Sequence, residues 1–126
     1  MSSTNALIVG GTRVSMEAEA AMTERYVVVE LGTAEGQVDL PSATSDIPFG
    51  VILETAVLGQ AVSVQIDGIC PIVCGGAIAL GSRVYIQGTD GRIDDVDTGT
   101  CVGLAMSATT AAGELCTVDL THKGAA

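Results

Sequence analysis

The sequence predicts an all-β domain: a small β-sandwich or barrel of two pseudo-repeated β-units, preceded by an extended N-terminal arm. Three observations lead there. Apolar and polar residues alternate with period two through several short runs, Gly and Asp punctuate at short intervals, and one part of the chain echoes another. Short strands separated by turn signals belong to sandwiches and small barrels.

Taken in order, residues 1–14 are rich in Ser, Thr and Gly around one apolar cluster, Leu7, Ile8 and Val9. The next stretch, "SMEAEAAMTER" (15–25), reads either as a short helix, with Ser15 as N-cap and Glu17 in the first turn, or as a continuing extended arm. Residues 1–25 are therefore expected to form the arm, with a β-domain over 26–126. From Tyr26 the pattern becomes strand-like. "RYVVVEL" is a β-branched run, and "GQAVSVQIDG" places Val62, Val64 and Ile66 on one side with Ser63 and Gln65 on the other. "SRVYIQG" and "LCTVDLT" alternate in the same way, and "TAEG", "GTDG" and "AAG" mark turns.

The echo joins 49–67 to 102–121 with one inserted residue. Gly50 then matches Gly103, Gly59 matches Gly113, and Val62, Val64 and Ile66 match Cys116, Val118 and Leu120. Upstream, "RYVVVELGTAEGQV" parallels "RVYIQGTDGRI". Two copies at this spacing are too few and too long for a solenoid. They imply two β-units sharing one core.

Composition narrows the chemistry. Of 126 residues 48% are hydrophobic but only 2% aromatic, so the core must be aliphatic and little aromatic surface is left to line a small-molecule pocket. The 15 acidic residues outnumber the 5 basic ones, for a net charge of −10. Phosphate backbones are held by clustered Lys and Arg; here Lys123 is the single lysine and the arginines at 13, 25, 83 and 92 are scattered, so no nucleic-acid partner is expected. No apolar stretch approaches a membrane span, and "MSSTNALIVGGTRVS" lacks a basic n-region, which places folding in a reducing cytoplasm with no membrane partner.

The chemistry-bearing residues do not assemble into a catalytic set. In "CPIVC", Cys70 and Cys74 have the spacing of a zinc pair around a Pro-containing turn, but no second close pair exists, and Cys116 takes the place of Val62 in the echo. Buried structural thiols fit better than a metal, redox or thiol-enzyme site. "GGTR" and "CGGAIALGS" lack the spacing of a phosphate loop. The acidic run "TDGRIDDVDTG", with Asp90, Asp94, Asp95 and Asp97, misses the EF-hand register and reads as a solvated hairpin loop. His122, the single histidine, sits in a polar tail without a Ser–His–Asp arrangement. No catalytic residue, cofactor or metal is expected, and no enzyme activity.

"GVILETAVLGQAVSVQIDGI", "GGAIALGSRVYI" and "DGRIDDVDTGTCVGLAMSATTAAGELCTVDL" follow one another in an order that resembles the capsid decoration (cement) proteins of tailed bacteriophages, over about three-fifths of the chain. The segment "CPIVC" departs from the apolar-Leu-Pro type common at that place in the family. The resemblance implies a β-tulip-type domain, a homotrimer on the outer surface of the head. It implies a virion structural protein, made in the host cytoplasm, that binds the major capsid protein and stabilises contacts between its subunits. Leu7, Ile8, Val9, Arg13 and Arg25 are the candidate contacts to capsid or neighbouring subunits. The competing reading is a soluble β-barrel module that binds a ligand such as a carbohydrate; it would depend on Tyr26, Phe49 and Tyr85 as stacking platforms.

Overall fold

The computed structural model describes residues 11–123. Ten strands follow one another: β1 (Arg13–Ala18), β2 (Val28–Leu31), β3 (Gln37–Asp39), β4 (Gly50–Ile52), β5 (Ala61–Gln65), β6 (Ile69–Val73), β7 (Arg83–Ile86), β8 (Ile93–Asp94), β9 (Cys101–Ala105) and β10 (Leu115–Asp119). A 3-10 turn, Leu120–His122, ends the described chain, and no α-helix occurs among the described residues. The protein is all-β, as its alternation requires.

The first five strands close into a barrel in the order β1-β3-β2-β4-β5, because β1 pairs with β3 in parallel and with β5 antiparallel. The other five form a sheet in the order β6-β10-β9-β7-β8. Its two ends meet through a parallel bridge between Cys74 and Ile93.

The two units share one register. Ile52 faces Val64 as Ala105 faces Val118, and Val51 faces Gln65 as Leu104 faces Asp119. Val29 faces Gly50 as Val84 faces Gly103. The closing contact repeats too: Ala18 lies beside Val38 in the barrel, and Cys74 beside Ile93 in the second sheet. Met22 bridges Ala56 where Ile78 bridges Thr109. The echo seen in the sequence is therefore a structural repeat at residue level. One departure is a register shift between Val84 and Tyr85.

Matched glycines show what the repeat protects. A Cβ on Gly50 would sit 2.6 Å from both the Gln65 carbonyl and Val64 Cγ1; on Gly103 it would sit 2.5 Å from the Asp119 carbonyl and 2.6 Å from Val118 Cγ1. Both strands thus cross their partner at a distance that only glycine permits. Gly59 and Gly113 hold φ of +85° and +93° in the two equivalent turns, where an L side chain would be strained.

Ser15–Arg25 does not form the helix considered for it. Ser15 pairs with Ser63 within β1, and burial alternates along the strand until Ala18 is fully enclosed. Ala and Glu favour a helix, but the side chains of Val14, Met16 and Ala18 face inward with period two, and packing decides. The first barrel strand therefore lies inside the segment 1–25 that the sequence assigns to an arm.

The core is mostly aliphatic. One cluster, including Ala18, Val29, Val38, Ile52, Val62 and Val64, fills the barrel. A second, including Ile72, Val84, Ile86, Ile93, Cys116 and Val118, fills the other unit and also takes in Val28 and Val51 from the outer face of the barrel. The first half of β2 and all of β4 are thus buried on both faces, and the two units share a seam. Val28 N–H donates to the Gly91 carbonyl at 2.9 Å, and Val73 N–H donates to the Tyr26 carbonyl at 2.8 Å across it. Gln65, expected on the polar side of β5, is fully buried there; its amide donates to the carbonyls of Asp67 and Ile69, which pins the link between the units.

Gly50→Ala and Gly103→Ala should each lower unfolding free energy by about 1–3 kcal/mol through overpacking, and by similar amounts. Denaturant unfolding of both variants tests this. A loss at one site with none at the other would show that the two crossings are not equivalent.

Candidate functional site

The residues that could carry chemistry are placed where they cannot react. "CPIVC" is not a turn but strand β6 and the residue after it, with Pro71 facing Thr117 of β10. Proline is tolerated because β6 stands at the end of its sheet, where the missing N–H breaks no ladder. Cys70, Cys74, Cys101 and Cys116 are free thiols and all are buried. Burial pushes the Cys70 thiol up to about 12 and also raises Cys101 and Cys116, which keeps them protonated and poorly nucleophilic. Each sulfur lies against a carbonyl: Cys74 at 3.1 Å from Ala111 O, and Cys116 at 3.4 Å from Ser107 O. Among the described residues no three His, Cys, Asp or Glu side chains converge as metal ligands.

The acidic run is consumed by its own turns. Asp90 accepts from Arg92 N–H, Asp94 from Val96 N–H and Asp97 from Gly99 N–H, each two residues on, while Asp95 accepts from Ala79 N–H at 3.4 Å. Arg92 reaches out of this loop to form a bidentate pair with Glu24, at 3.0 and 2.9 Å, and so ties the second unit to the first.

Of the contact residues expected from sequence, Leu7, Ile8 and Val9 lie outside the described residues. Arg13 is exposed at the start of β1 beside Gln65. Arg25 is exposed elsewhere, its guanidinium 4.9 Å from the centroid of the Tyr26 ring. Tyr26 adopts a φ of 63° at the point where the chain turns into β2.

The surface has features that the sequence did not single out. A groove of about 490 Å³ is lined by Glu30, Leu31, Asp46, Ile47, Phe49 and Lys123, among others. Lys123 Nζ donates to the Phe49 carbonyl and lies 5.7 Å from the centroid of its ring. Burial lowers the Lys123 pKa. Large exposed apolar side chains gather in loops and at strand ends: Ile47 is 73% exposed, Leu58 71%, Leu80 68% and Val57 67%. The aromatic rings are otherwise engaged. Tyr85 is buried, Tyr26 lies under Arg25 and Phe49 beside Lys123.

The model of a family described as phage cement protein matches residues 8–120. The chain belongs to the phage cement protein family. The crystal structure of the N base of head fiber gp8.5 in bacteriophage phi29 has a similar fold, with a TM-score of 0.69 at 18% identity, covering 91% of this chain and 98% of that one. A search of curated proteins finds no match. The cement protein is thus a structural protein of the phage virion, located on the capsid, and its family is not an enzyme class.

The buried thiols of the cement protein should resist a thiol reagent in the native state at mildly alkaline pH and react at once in denaturant. Replacing Cys70 and Cys74 together with Ser should cost about 1–2 kcal/mol per site, since carbonyls are at hand for the new hydroxyls. Rapid labelling of native protein, or stoichiometric zinc in it, would contradict this.

Proposed function

We propose that this cement protein sits on the outer face of the head as a homotrimer and stabilises contacts between neighbouring major capsid subunits. The observation that carries the reading is the distribution of apolar surface on a highly acidic chain. Both β-units close on themselves and hide their sheet interiors, yet Leu31, Ile47, Val57, Leu58, Leu80 and Met106 stand out from strand ends and connecting loops. These positions suit contact with a neighbouring protein surface. A net charge of −10 keeps such a chain soluble before it docks.

The contact energy must come mainly from burying aliphatic surface. Arg13 and Arg25 are exposed and suited to local pairs with the shell, but exposed pairs contribute only roughly 0–1 kcal/mol. Leu7, Ile8 and Val9 would add a further apolar contact. A modest affinity at each site is multiplied when three copies of one chain bind a symmetric shell together.

Binding to purified heads should therefore tolerate salt. Screening removes repulsion between neighbouring copies that each carry −10, and it leaves apolar burial intact. The experiment measures the fraction bound across a salt series, with copies counted per capsid subunit. Retention in high salt, with copies in sets of three, is expected. Release at a few hundred millimolar salt would sink the apolar mechanism, and a count that does not divide into threefold sites would sink the trimer. Ile47→Asp and Leu58→Asp should each weaken binding without unfolding the protein, because both side chains already face water.

A further inference from the structure

We propose that Leu7, Ile8 and Val9 fold back into the groove beside Phe49 of the same chain. In the protein free of the head they cover Leu31, Ile47 and Phe49. The inference rests on the groove and on where the described chain begins, not on the head-binding reading above. Contact of these residues with a shell then requires the segment to leave the groove.

The groove suits an apolar occupant. Its walls include Leu31 at the end of β2, Ile47 and Pro48 from the loop before β4, and Phe49 at the entry to β4. Leu31 is 58% exposed and Ile47 73%, and they gather with Phe49 in one concave site. A volume of about 490 Å³ falls within the range of sites that enclose a small molecule, which leaves room for a few aliphatic side chains. Glu30 and Asp46 also line it, while Lys123 is engaged at the Phe49 carbonyl. An acidic occupant would meet repulsion there. A second copy brings a net charge of −10, whereas residues 1–10, "MSSTNALIVG", carry no charged side chain.

The described chain begins at the same end of the barrel. β1 runs antiparallel to β5 and β5 antiparallel to β4, so the start of β1 lies level with the start of β4. Gln65 faces Arg13 on one side and Val51 on the other. Just beyond it, Ile66 N–H donates to the Thr12 carbonyl at 2.9 Å, and a Cβ on Gly50 would sit 3.2 Å from Ile66 Cγ2. The C-terminal turn is fastened at this end too. Leu120 N–H donates to the Gly68 carbonyl at 2.7 Å, just before Lys123 lines the groove.

The chain turns where the described residues start. Gly11 holds a φ of +91°, and a Cβ there would clash with the Asp67 carbonyl. Thr12 N–H donates to the Asp67 carboxylate at 2.5 Å, which fixes the turn. Adjacent strands lie about 4.8 Å apart, so Phe49 stands roughly 10 Å from Thr12, across β5. Extended chain covers about 3.3–3.6 Å per residue, which lets Val9 reach about 7 Å from Gly11 and Leu7 about 14 Å. The side chains that match the groove chemically are the ones that reach it. Their short tether also gives them a high effective concentration there, which a separate partner lacks.

The test is NMR of the full chain, with labelled Leu, Ile and Val methyls. In the wild type, methyls of Leu7, Ile8 or Val9 should show nuclear Overhauser contacts to the Phe49 ring. The amide order parameter at position 8 should be about 0.85, as in a strand. Leu31→Asp in the groove and Ile8→Asp in the segment should each abolish the contacts and lower that order parameter below about 0.6. Unchanged amide signals from β9 and β10 show that each variant is folded. Val96→Ser, on an exposed loop of the second unit, should change neither readout. A wild-type order parameter below about 0.6 at position 8, or no contact to Phe49, would overturn the proposal. So would contacts that survive in the folded Leu31→Asp variant. Mixing labelled with unlabelled copies identifies the occupant: contacts that form between copies would overturn docking within one chain.

Discussion

Everything in this structure depends on closing five short strands around an interior filled by aliphatic side chains. The interior of so small a barrel is filled by a few residues from each strand. Closure occurs where β1 meets β3 at Ala18 and Val38, and again where the second unit ends meet at Cys74 and Ile93. At these junctions both Ala18 and Cys74 are fully buried, and a larger residue would hold the strands apart. Val, Ile, Ala, Met and Cys fill most of this volume, so the core is built with few aromatic residues. The cysteines are packing residues within it. The raised pKa values of Cys70, Cys101 and Cys116 are a consequence of where they are buried, not a preparation for chemistry.

Repeating the unit solves a second problem. A single five-stranded barrel exposes the outer faces of its strands. Here Val28 and Val51 on that face are covered by the other unit, and the seam is fastened by backbone hydrogen bonds, the Gln65 amide and the Arg92–Glu24 pair. What remains for contact with other molecules is the set of connecting loops and strand ends. A virion protein that works through such loops needs them presented on a rigid frame, and two fused closed units provide one.

Much of this was legible in the sequence. Strands β5, β7 and β10 are marked by alternation, and the Gly50–Gly103 and Gly59–Gly113 matches mark the repeat in the sequence. The family was legible in the order of its motifs. Four things were not. β1 carries Ala, Glu and Met, whose helical propensity masks a period-two pattern that only the barrel makes decisive. "CPIVC" looked like a turn because Pro usually marks one, whereas an end strand accepts it. The groove is built from Glu30, Asp46 and Lys123, which are brought together by β2, a loop and the C-terminal turn, so no local spacing could signal it. Gln65 read as a surface residue because alternation assigns a face without revealing that the second unit covers it.

Whether the protein reinforces the head is tested most directly by the temperature at which heads lose their DNA. Heads lacking the protein are heated with a DNA-binding dye, before and after adding it back to saturation. The account predicts that DNA release shifts to higher temperature on decoration, and that the shift persists at high salt. Saturating decoration with no change in the release temperature would contradict a reinforcing role and leave a capsid-bound protein with some other task.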